Sequence, residues 1–460
     1  MGRSAYLCLS ALLFVTSILL LNLNACGGNS SAAFIPPAKL QHIVVIFQEN
    51  RSTDNLFHDP VLMQRGADIA SSGLDSQGNT IQLTPTPLGV PFDLSHAHSA
   101  FVAMYDGGKM DGADKISVSC PTGATCPPHP QYQYVQPSDV APYFQLAEQY
   151  TFGDRMFQTN EGPSFPAHQF IISGTSAPTA TSNLFAASNP VGEAGCAASP
   201  GSYVSMIDPM GNETSIMYPC FEHPTLTDEL DAKGISWRYY APKAGSIWTG
   251  PNAIMHMCQP QTQNGQLACS GATWNKVIIP GKQVLTDIAN SQLPAVSWVI
   301  PAGQNSDHPS SLSATGGPSW VASIVNAIGN SSYWSNTAIV ITWDDWGGWY
   351  DHVPPPKVID DGTSWGSGYV YGFRVPLIIV SPYARAQYIS HVSHDFGSVL
   401  NLIEQTFGLA SLGYADARAD NLSDCFNFSQ SPLQFQTISA PLSAEYFLDD
   451  KTPPTDPDTD

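Results

Sequence analysis

Positively charged residues are scarce in this sequence. Lysine and arginine together number 17 among 460 residues, against 38 aspartates and glutamates, so the formal net charge is −21. A nucleic-acid-binding protein needs a basic face that displaces counterions, so this balance argues against that class and against a polybasic membrane-surface protein. Charged residues of both signs make up only 12% of the chain. Aromatic residues reach 10%, which is ample material for a hydrophobic core and argues against intrinsic disorder.

Cysteines in zinc-site spacing are also absent, because the sequence has no C-x-x-C pair and no His/Cys cluster typical of structural zinc. Outside the N-terminal segment, six cysteines form close pairs along the chain, which in an exported protein is typical of disulfides that close local loops. The expected pairs are Cys120 with Cys126, Cys196 with Cys220, and Cys258 with Cys269. Cys425 is left over.

Residues 1–26 have the pattern of an export signal. Arg3 is the only charged residue before a largely apolar stretch, and no basic stop-transfer flank follows it. The segment ends in Ala25-Cys26-Gly27, which is similar to a bacterial lipoprotein cleavage box in which Cys26 becomes lipidated. An ordinary signal peptide with an incidental cysteine is the alternative. We expect residues 27–38 to be a tether and the protein to be a periplasmic or cell-surface lipoprotein, or otherwise secreted.

Short β-branched runs alternate with helical segments from residue 39 onward. The runs at 42–47, 296–300, 337–342 and 375–380 have the composition of buried parallel strands. Plausible helices lie at 142–150, 320–328 and 396–407. Strands separated by helices predict an α/β fold with a mostly parallel central sheet flanked by helices, in one domain over residues 39–448.

Two segments depart from this alternation. Residues 178–282 hold four cysteines and many glycines, prolines and asparagines, which indicates a loop-rich insertion that caps the sheet. Residues 449–460 form an acidic segment rich in proline and threonine, for which we expect disorder.

Polar residues cluster where the predicted strands end, which is where ligands bind in parallel α/β sheets. They are carboxylates, an amide and imidazoles, the groups that a divalent cation prefers. The first run leads into Glu49 and Asn50, the second into His308, and the third into Asp344, Asp345, Asp351 and His352. Taken singly, the adjacent aspartates could be a helix cap or turn, and Asp351 with His352 a structural hydrogen bond.

Two further segments carry groups suited to phosphate chemistry. Ser164 lies between two prolines before a helix-like stretch, where a metal could activate its hydroxyl and helix amides could hold an anion. A proline-rich turn with an N-capping serine is the alternative. His96 and His98 could be ligands or donors to phosphate oxygens, or equally surface residues.

With these motifs the chain resembles the bacterial phosphoesterase family of phosphatidylcholine-type phospholipases C and respiratory-burst-inhibiting acid phosphatases, in the alkaline phosphatase superfamily. The resemblance runs in order over about residues 40–410. It includes Gln-Glu-Asn-Arg-Ser within 44–57 and Gly-Pro-Ser-Phe-Pro within 162–175, together with the stretches 107–112, 296–309, 342–356 and 372–385. It implies an alkaline-phosphatase-like fold with a cap over a mostly parallel sheet.

The resemblance also implies a metal site and a nucleophile. One divalent ion (calcium, magnesium, manganese or zinc) would be held by Glu49, Asn50, Asp344 and Asp345, the last of which is more often Glu in the family. Ser164 would be the nucleophile, and serine rather than threonine there is typical of the acid phosphatases.

The resemblance further assigns the acid and the phosphoryl contacts to histidines. His96, with His98 as the alternative, would contact the phosphoryl oxygens or protonate the leaving group, as would His308 and His352. Asp351 would orient a neighbouring side chain.

The predicted activity is therefore metal-dependent hydrolysis of phosphate esters or phospholipids through a phosphoserine intermediate, of acid phosphatase or phospholipase C type. A sulfatase-like hydrolase is one alternative, since Ser164-Phe-Pro-Ala-His168 resembles the Cys/Ser-x-Pro-x-Arg sequence of sulfatases. His168, standing where arginine is common, argues against it. The other alternative is a non-catalytic surface lipoprotein that binds a cation or glycan through the aromatic loop at 343–350, which could also form a cation-π box.

Overall fold

The computed structural model describes residues 39–311, 313–357 and 371–455. The predicted signal segment and tether, and residues 456–460 of the acidic tail, lie outside the described residues. Among the described residues, no helix has the length and apolar character needed to cross a membrane.

The helices that the described residues form are α1 Thr53–Leu56, α2 Pro60–Gln64, α3 His98–Tyr105, α4 Ala141–Gln149, α5 Ser164–Ser173, α6 Leu226–Ala232, α7 Gln283–Ala289, α8 Gly316–Gly329, α9 Phe396–Phe407, α10 Ala415–Arg418 and α11 Ala444–Asp449. The strands are β1 His42–Gln48, β2 Ser72–Leu74, β3 Thr80–Gln82, β4 Thr84–Thr86, β5 Asp93–Leu94, β6 Val118–Ser119, β7 Gln133–Val135, β8 Thr151–Gly153, β9 Phe185–Ala186, β10 Val204–Ile207, β11 Glu213–Met217, β12 Trp237–Tyr240, β13 Gln259–Gln263, β14 Gln266–Ser270, β15 Val277–Ile278, β16 Val296–Val299, β17 Thr337–Trp343, β18 Leu377–Val380 and β19 Tyr388–Ser390.

The central sheet has eight strands in the order β15-β12-β16-β1-β17-β18-β8-β19. β1 lies between β16 and β17 and is parallel to both. Every residue of β17 is buried, as expected of a β-branched strand covered on both faces. β18 is antiparallel to its neighbours β17 and β8, whereas the other pairs are parallel. The prediction of an α/β fold with a mostly parallel sheet is confirmed.

The predicted helices are confirmed as α4, α8 and α9, with bounds that differ by a few residues. α8 packs against α4 and α7, and α5 packs against α9. α5 carries the candidate nucleophile, and all of its residues, apolar and polar alike, are buried. The helix is therefore fixed by packing on every side.

The predicted cap is not confirmed as a unit. β12 and β15 fall within residues 178–282 but are strands of the central sheet. Of the rest of that range, β9, β10 and β11 form a small separate sheet, and β13 pairs with β14. All three predicted disulfides are present, Cys120 with Cys126, Cys196 with Cys220, and Cys258 with Cys269, and Cys425 is a buried free thiol.

The start of the acidic tail is held against the body of the protein. The N–H of Gly303 donates a hydrogen bond to the carbonyl of Thr455 at 3.0 Å. The hydroxyl and the N–H of Thr455 both donate to Gln304 Oε1 at 3.1 Å. The disorder of residues 449–460 stays a prediction.

Candidate active site

The candidate site begins at the carboxyl ends of β1 and β17, which lie side by side. The strand register carries Glu49 and Asp344 out of the sheet together. Asp344 Oδ1 accepts hydrogen bonds at 2.8 Å from the backbone N–H groups of Asn50 and Asp345. All four side chains are fully buried. The structure thus brings together the four predicted metal-binding residues.

A tight turn after β17 completes this arrangement. Gly347 has a φ of 63°, in the left-handed region, and a Cβ at this position would lie 2.3 Å from the carbonyl oxygen of Asn50. Only glycine fits both requirements. The N–H of Gly347 donates to Asp345 Oδ1 at 2.7 Å. Asp345 is therefore held by the turn, and its Oδ2 is left to face the nucleophile.

Ser164 is the first residue of α5, directly after Pro163. Its hydroxyl donates to Asp345 Oδ2 at 3.3 Å. The next backbone N–H, that of Phe165, donates to Asn189 Oδ1 at 2.9 Å and so satisfies one of the orphan amides of the helix start. The structure thus joins the predicted nucleophile to the predicted metal site.

Gln158, which the sequence analysis did not single out, connects the nucleophile loop to the turn after β17. Its Nε2 donates to the carbonyls of Asn160 at 2.8 Å and Gly162 at 2.9 Å. Its Oε1 accepts the backbone N–H of Trp346 at 3.2 Å. Because the contacts reach a segment 188 residues away, no local pattern could have identified this role.

His96 orients the amide of Asn50. His96 Nδ1 lies 2.9 Å from the carbonyl of Leu94, so Nδ1 carries the proton, and Nε2 accepts from Asn50 Nδ2 at 3.0 Å. This leaves Asn50 Oδ1 buried, with no hydrogen-bond partner in the described part of the chain. An amide oxygen so placed beside carboxylates is suited to a cation.

Glu49, His168 and Asp344 form a group whose ligand atoms all lie within 4.8 Å of one another. Three fully buried carboxylates, those of Glu49, Asp344 and Asp345, meet in this region. Burying carboxylates is costly unless positive charge or hydrogen bonds compensate. The residues present therefore fit a bound metal ion. His168 was not among the predicted ligands, although its spacing of four residues from Ser164 would have placed both on one helix face.

His308 lies near His96, at 6.2 Å between ring centroids. The hydroxyl of Ser310 lies 3.0 Å from His308 Nδ1, and when it donates there, the proton of the neutral ring is on Nε2. His308 Nε2 is 3.9 Å from Asp93 Oδ2. The preceding residue, Asp307, anchors the loop by accepting from Tyr143 and Trp343, and burial raises the pKa of Asp307 to about 6 despite these contacts.

Asp351 and His352 belong to a separate network around the buried Arg374. Arg374 donates to Asp351 Oδ1 at 2.8 Å and to Asp54 Oδ1 at 3.0 Å. His352 lies 2.7 Å from Asp54 Oδ2 and 3.0 Å from Asp68 Oδ1. Burial lowers the pKa of His352, but its hydrogen bond with Asp54 and the Asp54 charge outweigh this effect and raise the pKa to about 9.

None of the contacts of His352 within the described residues joins it to Ser164, so its predicted catalytic role has no geometric support here. Asp54, Asp351 and His352 lie close enough together to hold a metal ion. The Arg374 guanidinium already donates to both of these carboxylates, so we interpret the cluster as an ion-pair network.

His98 points to a different set of partners from His96. Its Nε2 lies 3.5 Å from Glu161 and its Nδ1 3.2 Å from Glu213. Burial opposes its protonation, but the two carboxylates outweigh burial and raise the pKa of His98 to about 9. Of the two predicted histidines, His96 is the one hydrogen-bonded to a candidate ligand.

The aromatic loop after β17 packs inside the protein. Trp343, Trp346 and Trp349 are fully buried. Trp346 and Trp349 belong to an apolar cluster, and the Arg51 guanidinium lies 5.0 Å from the Trp349 ring. These rings are packing residues, and the geometry does not support an exposed glycan platform or a cation-π box.

Comparisons with known proteins show which proteins this chain is similar to. Phospholipase C A of Mycobacterium tuberculosis is 25% identical over 432 residues, which cover 85% of this chain and 78% of that protein. Non-hemolytic phospholipase C of Pseudomonas aeruginosa is 23% identical over 439 residues, covering 85% of this chain and 57% of that protein. A solved structure of an alkaline phosphatase superfamily protein from Vibrio parahaemolyticus covers 83% of this chain and 70% of its own at 11% identity, with a TM-score of 0.35 that is too low to carry a conclusion.

A family profile also covers most of the chain. The sequence profile described as "Phosphoesterase family" matches residues 40–410, which include every candidate site residue named above. The chain therefore belongs to the phosphoesterase family, and it is a hydrolase of phosphoric esters.

Proposed function

We propose that Ser164 is the nucleophile of a metal-assisted phosphoryl transfer and that the substrate is a phospholipid. The observation that carries the proposal is the hydrogen bond of 3.3 Å from the Ser164 hydroxyl to Asp345, at the start of α5 and beside buried carboxylates. A nucleophilic serine needs a group that orients and deprotonates it, and phosphoryl transfer needs cationic neutralisation of the phosphoryl oxygens.

Glu49, Asn50, Asp344 and Asp345 are the residues that would hold one divalent ion. When bound, the ion would supply positive charge that lowers the pKa of the serine hydroxyl and polarises the phosphoryl group. The chain contributes the positioning. Asp344 fixes the backbone of Asn50, His96 turns the amide oxygen of Asn50 away from itself, and the turn after β17 holds Asp345.

The reaction then proceeds in two displacements. As the bond from Ser164 Oγ to phosphorus forms, the serine proton passes to Asp345 and the bond from phosphorus to the leaving oxygen breaks. His308, whose Nε2 is buried and whose ring lies near His96, would donate a proton to that oxygen. Water then attacks phosphorus and gives one proton to His308, the bond from phosphorus to Ser164 Oγ breaks, and Asp345 returns its proton to Ser164 Oγ as the phosphorylated product leaves.

The relatives support the choice of substrate class. Both the mycobacterial and the pseudomonad relatives are named phospholipase C. With a phosphatidylcholine substrate, diacylglycerol would leave first and the choline phosphate would remain esterified to Ser164 until water releases it.

A substrate panel with purified protein tests the proposal. We expect turnover of nitrophenyl phosphorylcholine and phosphatidylcholine that a chelator abolishes and added divalent metal restores. Ser164→Ala should lose at least about 1,000-fold in kcat, because the nucleophile is gone. Ser173→Ala, on the same buried helix, is the matched control and should retain activity.

Other outcomes of the panel would replace the proposal. Turnover of nitrophenyl phosphate alone would make the protein a phosphomonoesterase. Turnover of aryl sulfate without aryl phosphate would make it a sulfatase. Unchanged turnover in Ser164→Ala would remove the catalytic scheme.

We also propose that the protein is exported and carries a lipid on Cys26. The three disulfides support export, because such bonds persist in oxidising compartments. Fractionation of cells tests the anchor: the protein should sediment with membranes, and Cys26→Ser should appear in the soluble fraction. A Cys26→Ser protein that stays on the membrane would contradict lipidation.

A further inference from the structure

The structure assigns His168 as a nitrogen ligand of the metal site, which makes the resident ion a borderline transition metal of the zinc and iron class. This inference rests on the proposed metal site and deepens it. His168 lies four residues after Ser164 on α5, so the two side chains share one helix face. Its Nε2 is 3.4 Å from Glu49 Oε1 and 3.8 Å from Asp344 Oδ2.

Tyr239 on β12 fixes which nitrogen of His168 carries the proton. The Tyr239 hydroxyl donates its only proton to the carbonyl of Trp248 at 3.0 Å and accepts the N–H of Gly250 at 3.3 Å. It can therefore only accept from His168 Nδ1, which lies 3.4 Å away.

With the proton on Nδ1, a neutral His168 turns the lone pair of Nε2 toward two carboxylates. Lone pairs of an imidazole and carboxylates repel one another unless a cation lies between them. A hydrogen bond from Nδ1–H to an outer acceptor is how metal-bound histidines are commonly oriented. Tyr239 supplies that acceptor here.

The distances also favour a shared metal over a direct ion pair. A charged hydrogen bond between an imidazolium and a carboxylate is about 2.7–2.9 Å long. Two ligands that each lie about 2.1 Å from one zinc ion are about 3.4 Å apart in a tetrahedral site. The separations of 3.4 Å and 3.8 Å are closer to the second case.

The added nitrogen changes which metal the site prefers. Carboxylate and amide oxygens alone suit calcium, magnesium or manganese, whereas imidazole suits zinc and iron.

Metal binding to the full-length protein tests the assignment without reference to activity. We expect elemental analysis of purified wild type to find zinc or iron rather than calcium or magnesium. In calorimetric titrations of chelator-stripped protein, His168→Gln should bind Zn²⁺ at least about tenfold more weakly, with a change of less than about threefold for Ca²⁺. Cobalt-loaded wild type should show a visible absorption spectrum that shifts in His168→Gln.

Matched variants separate the assignment from general damage. His223→Gln alters another buried histidine, which contacts the Ala177 carbonyl and the Ser173 hydroxyl, and should leave Zn²⁺ affinity unchanged. Tyr239→Phe keeps the ring and should weaken Zn²⁺ binding, because His168 loses its acceptor. Unchanged Zn²⁺ affinity in His168→Gln would overturn the inference and leave His168 as an imidazolium counter-ion. If His168→Gln weakens Zn²⁺ binding but Ser164→Ala keeps full turnover, the metal-ligand inference stands and the proposed function alone is overturned.

Discussion

Replacing Gln158 with methionine tests whether one buried amide holds the nucleophile loop in register with the turn after β17. Methionine keeps nearly the same volume but removes both donors and the acceptor. The carbonyl of Gly162 retains a second donor, Asn160 Nδ2, at 2.8 Å. The carbonyl of Asn160 and the N–H of Trp346 lose this partner.

A buried backbone group that loses its hydrogen-bond partner costs about 1–3 kcal/mol of stability. Gln158→Met should therefore lower the free energy of unfolding by roughly 3 kcal/mol. If half or more of that free energy is also lost from the transition state, because Ser164 is no longer held in position, kcat/KM should fall about 10- to 100-fold. Urea denaturation and turnover of nitrophenyl phosphorylcholine measure the two effects on the same preparation.

Gln430→Met is the matched control. Gln430 is half-buried, and its amide donates to the carbonyls of Pro382 at 3.3 Å and Ala384 at 2.8 Å. We expect it to lose stability by about 1 kcal/mol and to keep the wild-type kcat/KM. A folded Gln158→Met protein with wild-type kcat/KM would refute the argument that this amide positions the nucleophile.

Two other predictions concern stability. Protonated His352 should stabilise the fold fully below its ordinary pKa of 6.5, and this stabilisation should be lost as the pH rises through about 9. The melting temperature should therefore fall across that interval, and it should fall less steeply in His352→Asn than in wild type. His129→Asn, which replaces an exposed histidine, is the control and should behave like wild type. Equal slopes in all three proteins would contradict a stabilising role for the His352 network. Removing the disulfide with a sequence separation of 24, by Cys196→Ser with Cys220→Ser, should cost about 3 kcal/mol. The same change at the pair separated by 6, Cys120 and Cys126, should cost about 2 kcal/mol. Urea midpoints compare them, and a larger loss for the shorter loop would contradict the loop-entropy argument.

The core of the sheet could be predicted from sequence because β1, β16 and β17 are β-branched runs buried on both faces. The antiparallel direction of β18 could not be predicted, because the direction of a strand depends on the path of the chain between it and its neighbour. β12 and β15 were assigned to a cap because they are only four and two residues long and lie among cysteine-, glycine- and proline-rich loops. Their place in the sheet comes from long-range pairing, of β12 with β16 and of β15 with β12, which leaves no local pattern.

The candidate site was predictable to the extent that strand ends define it. Glu49 and Asp344 follow adjacent parallel strands, so their proximity follows from the fold. The role of Asp351 was not predictable, because its partners Arg374 and Asp54 are distant in sequence and are brought together only by packing. The spacing of four residues between Ser164 and His168 indicates that both side chains lie on one helix face, so the position of His168 near the site was predictable from the sequence.

The most direct test of the central claim is to trap the intermediate. Protein mixed with excess nitrophenyl phosphorylcholine, quenched in acid within milliseconds and digested, should yield a peptide that carries one phosphorylcholine group on Ser164. The adduct should form in a burst equal to the enzyme concentration and should be absent in Ser164→Ala. Full turnover with no adduct on Ser164, or an adduct on another residue, would contradict the account.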